Sequence, residues 1–121
     1  MATLRYLVHD VDAAVRFYTE LLGFELEDHM GAPFALLSYG DLQLWLSGPK
    51  SSAARPMPDG RQPEPGGWNR LVLELTDIEP VVSRLLAAKV PFRNSISSGP
   101  GGRQVLCDDP SGNPIELFQP A

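Results

Sequence analysis

A strand, helix and sheet pattern in the first half of this chain returns about 67 residues later, and no other feature constrains the fold as much. The first copy opens Leu4-Arg5-Tyr6-Leu7-Val8-His9-Asp10-Val11-Asp12 and runs into a helical stretch. The second opens Leu71-Val72-Leu73-Glu74-Leu75-Thr76-Asp77-Ile78-Glu79 and does the same. Each copy closes on a short strand with a polar side chain among apolar ones: Leu42-Gln43-Leu44-Trp45-Leu46, and Ile115-Glu116-Leu117-Phe118. Solenoids stack several shorter units. Two copies therefore indicate a single domain, residues 1–121, built from two like modules with a shared cavity.

A chain of 121 residues, 43% hydrophobic, can bury a core without disulfide or metal staples. The net charge of −5 argues against nucleic acid as a partner, which would need a basic face. It leaves room for a local basic pocket. Cys107 is the only cysteine, so no intrachain disulfide can form. With no secretory signal at its start, the chain is expected to be cytoplasmic. No apolar run approaches the roughly 18 residues that span a bilayer.

Module one is expected over 1–47. Leu4, Tyr6 and Val8 point to one face of its first strand, and Thr3, Arg5, Leu7 and His9 to the other. Asp10 or Asp12 can cap the next helix, whose apolar face is Ala14, Phe17, Tyr18 and Leu21. Gly23 stands at its left-handed stop. Strands follow near 24–29, 33–39 and 41–47, the last two joined at Tyr39-Gly40-Asp41. Residues 48–67 are rich in Pro, Gly and Ser and have no apolar period, so they read as a solvated connection or a gate over a pocket. Module two, 68–121, repeats the plan. Asp77 caps a helix with Ile78, Val81, Val82, Leu85 and Leu86 inward, and Pro80 sits in its first turn. Lys89 takes the place of Gly23, at a strain of roughly 1 kcal/mol if left-handed. Strands are expected near 91–96, 102–107 and 113–118.

The ending Asp109-Pro110-Ser111-Gly112-Asn113-Pro114-Ile115-Glu116-Leu117-Phe118 forms a tight turn feeding a strand. Together with Asp10-Val11-Asp12-Ala13-Ala14-Val15-Arg16-Phe17-Tyr18 and Leu21-Leu22-Gly23-Phe24, it resembles the vicinal oxygen chelate superfamily. That superfamily includes glyoxalase I, extradiol dioxygenases, fosfomycin-resistance enzymes and bleomycin-binding proteins. The resemblance implies an α+β fold: two βαβββ modules whose mixed sheets curl around a cup. It also implies a homodimer, since family members commonly bring two chains together to complete two cups.

Metal-dependent members take ligands from the first and last strands of each module. Carried over, those places hold Thr3, Gln43, Arg70 and Glu116. Glu116 suits a divalent metal and Gln43 is a weaker carbonyl ligand, whereas Thr3 is poor. Arg70 is disqualifying, because guanidinium stays protonated and offers no lone pair. Arg70 and Glu116 are therefore expected to pair with each other in a charge-assisted contact, a type that can be bidentate. His9 and His29 read as ordinary polar residues rather than ligands, Cys107 as a buried thiol, and Asp108-Asp109 as turn formers.

The expected function is binding of a small organic molecule in the cup, without metal or other cofactor and without a membrane partner. The expected lining is Arg5, Leu7, Gln43, Trp45, Arg70, Val72, Glu74, Glu116 and Phe118. Arg5 and Arg70 would hold anionic or carbonyl groups, Glu74 and Glu116 would orient them, and Trp45 and Phe118 would supply apolar area. The alternative is a lyase, isomerase or dioxygenase using a divalent metal at Gln43 and Glu116 as Lewis acid. Glu116 is the candidate catalytic base if the protein is a metal-free enzyme.

Overall fold

Asp10 and Asp77 start the two helices in the same way. Asp10 Oδ1 accepts the Ala13 N–H at 3.1 Å, and Asp77 Oδ1 accepts the Glu79 N–H at 3.2 Å. Each satisfies a helix-end donor that has no partner within the helix. A computed structural model describes residues 1–29 and 33–121. Strand β1 (Ala2–Leu7) leads to helix α1 (Val11–Arg16), which continues as a π-helical turn over Phe17–Leu21. Strands β2 (Glu25–His29), β3 (Phe34–Tyr39) and β4 (Leu42–Ser47) follow. After the loop come β5 (Leu71–Glu74), α2 (Ile78–Ala87), β6 (Ser97–Gly99), β7 (Gly102–Asp108) and β8 (Pro114–Pro120). The order is βαβββ twice, an α+β fold.

Both helices stop at a left-handed residue, Gly23 at φ +80° and Lys89 at φ +62°. From cap to stop, the first helix uses one residue more than the second. The π-turn absorbs that extra residue. Ala14, Phe17 and Tyr18 are buried on α1 and its extension; Ile78, Val82 and Leu85 are buried on α2. Leu86, expected inward, is 58% exposed. It borders an apolar groove with Val82, Phe92 and Ile96 instead of packing under a strand.

Each module forms a four-stranded mixed sheet, ordered β1-β4-β3-β2 and β5-β8-β7-β6. In each, the first strand runs parallel to the last, and the remaining pairs are antiparallel. Leu44, Leu46, Leu71, Leu73, Ile115 and Leu117 are buried on the helix-facing sides. The strand expected near 91–96 is absent. Only Phe92 bridges to Cys107, and the next regular pairing is β6 at 97–99. The cause is local: Asn94 Oδ1 takes the Leu106 N–H at 2.8 Å, so a side chain replaces the ladder bond. At the far end of β7, Gly102 is irreplaceable in shape. A Cβ there would lie 2.1 Å from the Gln119 carbonyl oxygen.

The modules are joined by the turn 109–113 and β1. Tyr6 donates its hydroxyl to the Pro114 carbonyl at 2.6 Å and accepts the Leu71 N–H at 3.1 Å. Asn113 Nδ2 donates to the Leu7 carbonyl at 2.8 Å, and Ser111 Oγ accepts the His9 N–H at 2.9 Å. Buried Asp109 accepts the N–H groups of Ser111 and Asn113 at 2.8 and 2.9 Å, and the Tyr18 hydroxyl at 2.9 Å. The Asp-Pro-Ser-Gly-Asn run is thus a turn former and a docking joint together.

Candidate functional site

In module two, alternation puts Val72 and Glu74 of β5 on the face away from α2, opposite Glu116 and Phe118 of β8. Arg70 enters just before β5 and reaches diagonally to Glu116. Its Nε and Nη2 both donate to Oε1 of Glu116, at 3.1 and 2.8 Å, and Nη1 donates to the Trp68 carbonyl at 3.4 Å. The expected pair is therefore present, with both nitrogens converging on one carboxylate oxygen. Glu116 is 9% exposed, so this guanidinium is the counter-charge for a nearly buried carboxylate.

The opposite arrangement holds in module one, where the candidate face carries cations. Arg5, opposite Trp45 in the register, lies 4.9 Å above the indole ring. Phe34 meets the same ring edge-on at 5.8 Å. Leu7 lies opposite Ser47 further along β4. Thr3 Oγ1 donates to Gln43 Oε1 at 3.1 Å at the other end of the strand pair. Arg5, Phe34 and Trp45 line a concavity of about 450 Å³, closed on one side by Lys50, Ser51 and Ser52. So the first residues of the 48–67 loop form one wall of a pocket. Two buried polar atoms on this face of β4, Trp45 Nε1 and Ser47 Oγ, have no hydrogen-bond partner among the described residues. An unpaired buried donor costs about 1–3 kcal/mol.

Four of the expected lining residues border three different concavities. Arg5 and Trp45 share the module-one concavity. Glu74 borders a shallower one of about 360 Å³ with Leu75, Thr76 and Pro120. Phe118 borders a third, of about 290 Å³, with Gln104 and the glycine turn at 99–102. Arg70 and Glu116 hold each other, and Val72, opposite Glu116 in the register, is 49% exposed.

The sequence profile of the Glyoxalase/Bleomycin resistance protein/Dioxygenase superfamily matches residues 1–117. The chain belongs to this superfamily. No curated protein sequence matches it. Among solved structures, the fold is shared with a lactoylglutathione lyase from Agrobacterium tumefaciens, at 22% identity and TM-score 0.76, covering 98% of this chain and 92% of that one. TnmS3, an antibiotic binding protein from Streptomyces sp. CB03234, is 27% identical with TM-score 0.73, covering 98% and 93%. A superfamily member from Sphaerobacter thermophilus DSM 20745 is 28% identical with TM-score 0.76, covering 98% and 95%.

Register corrects one correspondence within this superfamily member. The two caps, Asp10 and Asp77, make Arg5 the counterpart of Val72. Arg5 pairs with Trp45, and Val72 pairs with Glu116. Trp45, not Gln43, is therefore the module-one counterpart of Glu116. The superfamily's ligand places then hold Thr3, Trp45, Arg70 and Glu116. An indole N–H is a donor only, and guanidinium is a permanent cation. The set does not fit a divalent metal. Among the described residues, no group of three or more His, Cys, Asp or Glu could hold one elsewhere. His29 Nε2 lies 3.2 Å from Asp12 at the β2 edge, and His9 is exposed beside the α1 cap.

Cys107 is buried on β7, and burial pushes its thiol up to about 12, which makes it inert as a nucleophile. Asp109 acts in the turn as expected. Asp108 instead ends β7 and accepts Arg93 Nε at 2.7 Å. Arg93 also donates to the Gly67 and Gly112 carbonyls at 2.7 and 3.0 Å and lies 4.6 Å from the Trp68 ring centroid. It clamps the end of the long loop onto the joint. Sequence reading missed Phe34 and Lys50. Phe34 was legible, since it alternates with buried Ala35 and Leu37. Lys50 was not, because no periodicity operates in a loop.

Proposed function

We propose that this chain binds a small organic molecule on the open faces of its sheets and uses no divalent metal. The observation that carries this reading is the Arg70–Glu116 pair. The one good ligand among the four superfamily places is already neutralised by a cation that stands in a second place. The 27% identity to an antibiotic binding protein supports a sequestering role. Glu116, the candidate base, is held by Arg70. We also propose a homodimer. Val72 and the lining groups lie open on the single chain, and a second copy would cover them and turn shallow concavities into closed ones.

Two measurements test this. Elemental analysis after purification without chelators should find Zn, Ni, Mn and Fe far below one atom per chain. A value near one per chain would overturn the metal-free reading in favour of a metal-dependent lyase, isomerase or dioxygenase. A thermal-shift screen against a chemically mixed panel of organic acids, amides and aromatic antibiotics should raise Tm for at least one compound without added metal. No shift with any of them would overturn the binding reading.

A further inference from the structure

Resting on that binding reading, we propose that the module-one concavity takes a flat organic anion, an aromatic carboxylate, with Arg5 and Lys50 as its counter-charges. The charge pattern is the first argument. Arg5 and Lys50 are the charged residues lining this concavity; Pro33, Phe34, Trp45, Ser51 and Ser52 are neutral. A chain with net charge −5 therefore gathers positive charge alone at one pocket. Among the described residues, Arg61, Arg70, Arg93 and Arg103 each pair with a carboxylate; Arg5 and Lys50, like Arg16, Arg55, Arg84 and Lys89, pair with none, and of these six only Arg5 and Lys50 line this concavity. Their charges are available to a ligand.

Geometry is the second argument. The Arg5 guanidinium carbon lies 4.9 Å from the Trp45 ring centroid, and among the described residues no carboxylate pairs with its fork of N–H groups. A carboxylate is the planar acceptor that matches such a fork. Phe34, edge-on to Trp45, supplies an apolar wall beside it, and Ser51 and Ser52 line the loop side. About 450 Å³ suits an acid of one or two rings. A cation is repelled here. A neutral amide forgoes the charge-assisted bonds, and an inorganic anion forgoes the aromatic wall. The carboxylate-bearing concavity at Glu74 has none of these features.

The test uses the full chain and 2-naphthoate, with neutral 2-naphthamide and non-aromatic cyclohexanecarboxylate as comparators. Calorimetry gives affinities. The two indole N–H resonances, assigned with Trp45→Phe and Trp68→Phe, give the location. Naphthoate should bind about tenfold or more tighter than either comparator and shift Trp45 while leaving Trp68 in place. Arg5→Gln and Lys50→Gln, both at exposed side chains, should each weaken naphthoate several-fold and together abolish its advantage over the amide. Exposed Arg16→Gln should change nothing. The proposal is overturned if naphthoate fails to bind, if it leaves Trp45 unmoved, or if its advantage survives the double variant. An amide that shifts Trp45 as tightly as naphthoate rejects the anion and keeps small-molecule binding. Failure of the whole thermal-shift panel rejects both.

Discussion

Tyr18 donates its hydroxyl to Oδ2 of Asp109 at 2.9 Å, linking the π-turn of module one to the joint turn of module two. Both are buried, and they are 91 positions apart in the chain. Burial raises the Asp109 carboxyl above its ordinary 3.8, and the bonds from Asn113, Tyr18 and Ser111 pull back against that rise. The carboxylate survives burial through its donors. Tyr18→Phe removes one of them and should destabilise the chain by about 1–3 kcal/mol. Urea unfolding of the variant and the parent measures the loss.

Tyr6 contributes to the alkaline limit of stability, together with Tyr18 and Cys107, whose ionisation burial also pushes upward. Burial pushes its hydroxyl from 10.0 to about 12, partly offset by the Leu71 N–H. The folded state therefore favours the neutral phenol. The stabilising term is fully present below pH 10, where folded and unfolded chains are both protonated. It is lost as pH rises from 10 to about 12, because the unfolded chain releases its proton first. Tm should fall across that window. Tyr6→Phe should lower Tm at pH 7, because the Pro114 carbonyl and the Leu71 N–H lose their partner. It should also flatten the alkaline slope. A slope unchanged by the substitution would assign the decline to another group.

Arg70 and Glu116 should show coupling in a double-mutant cycle. Glu116→Ala strands Arg70, whose side chain is 29% exposed, so water screens part of the penalty. A cost of roughly 2 kcal/mol is expected, below that of a fully buried pair. Arg70→Leu with Glu116→Leu should recover much of it. Chemical denaturation of the parent, Arg70→Leu, Glu116→Leu and the double variant gives the coupling energy. A value of zero would remove the pairing from the case against a metal.

The strands that alternate cleanly were legible from sequence, and the places where side chains intervene were not. Leu71, Leu73 and the capping Asp77 announce β5 and α2 by period and cap chemistry alone. Around 91–96, Phe92 and Ile96 suggest a strand, yet Asn94 satisfies Leu106 from its side chain, and no pattern in the sequence reveals that choice. The π-turn escaped for a similar reason: one extra residue between Asp10 and Gly23 shifts no apolar position decisively. At the candidate site, the Arg70–Glu116 pair followed from residue chemistry. The equivalence of Trp45 with Glu116 needed the register. Gln43 was the obvious polar residue in its strand, whereas a tryptophan in a ligand place looks like packing until its pairing partner is known.

Lys89 is the one non-glycine residue with positive φ among the described residues, at +62°, where its counterpart is Gly23. The left-handed conformation presses Cβ toward the following carbonyl and costs roughly 1 kcal/mol. Its N–H still donates to the Leu86 carbonyl at 3.0 Å, and the next N–H, of Val90, donates to the Leu85 carbonyl at 3.0 Å. The stop geometry is therefore complete without the side chain, which is exposed. Lys89→Gly removes the Cβ clash but enlarges the conformational freedom of the unfolded chain, and the two effects oppose each other. The steric relief is the larger at a left-handed stop, so a net gain of about 0.5 kcal/mol is expected. Lys89→Ala keeps the Cβ and should stay within about 0.3 kcal/mol of the parent. Denaturant midpoints for the three proteins separate the cases. A loss of stability in the glycine variant would show that the strain at this site is smaller than the entropy it offsets.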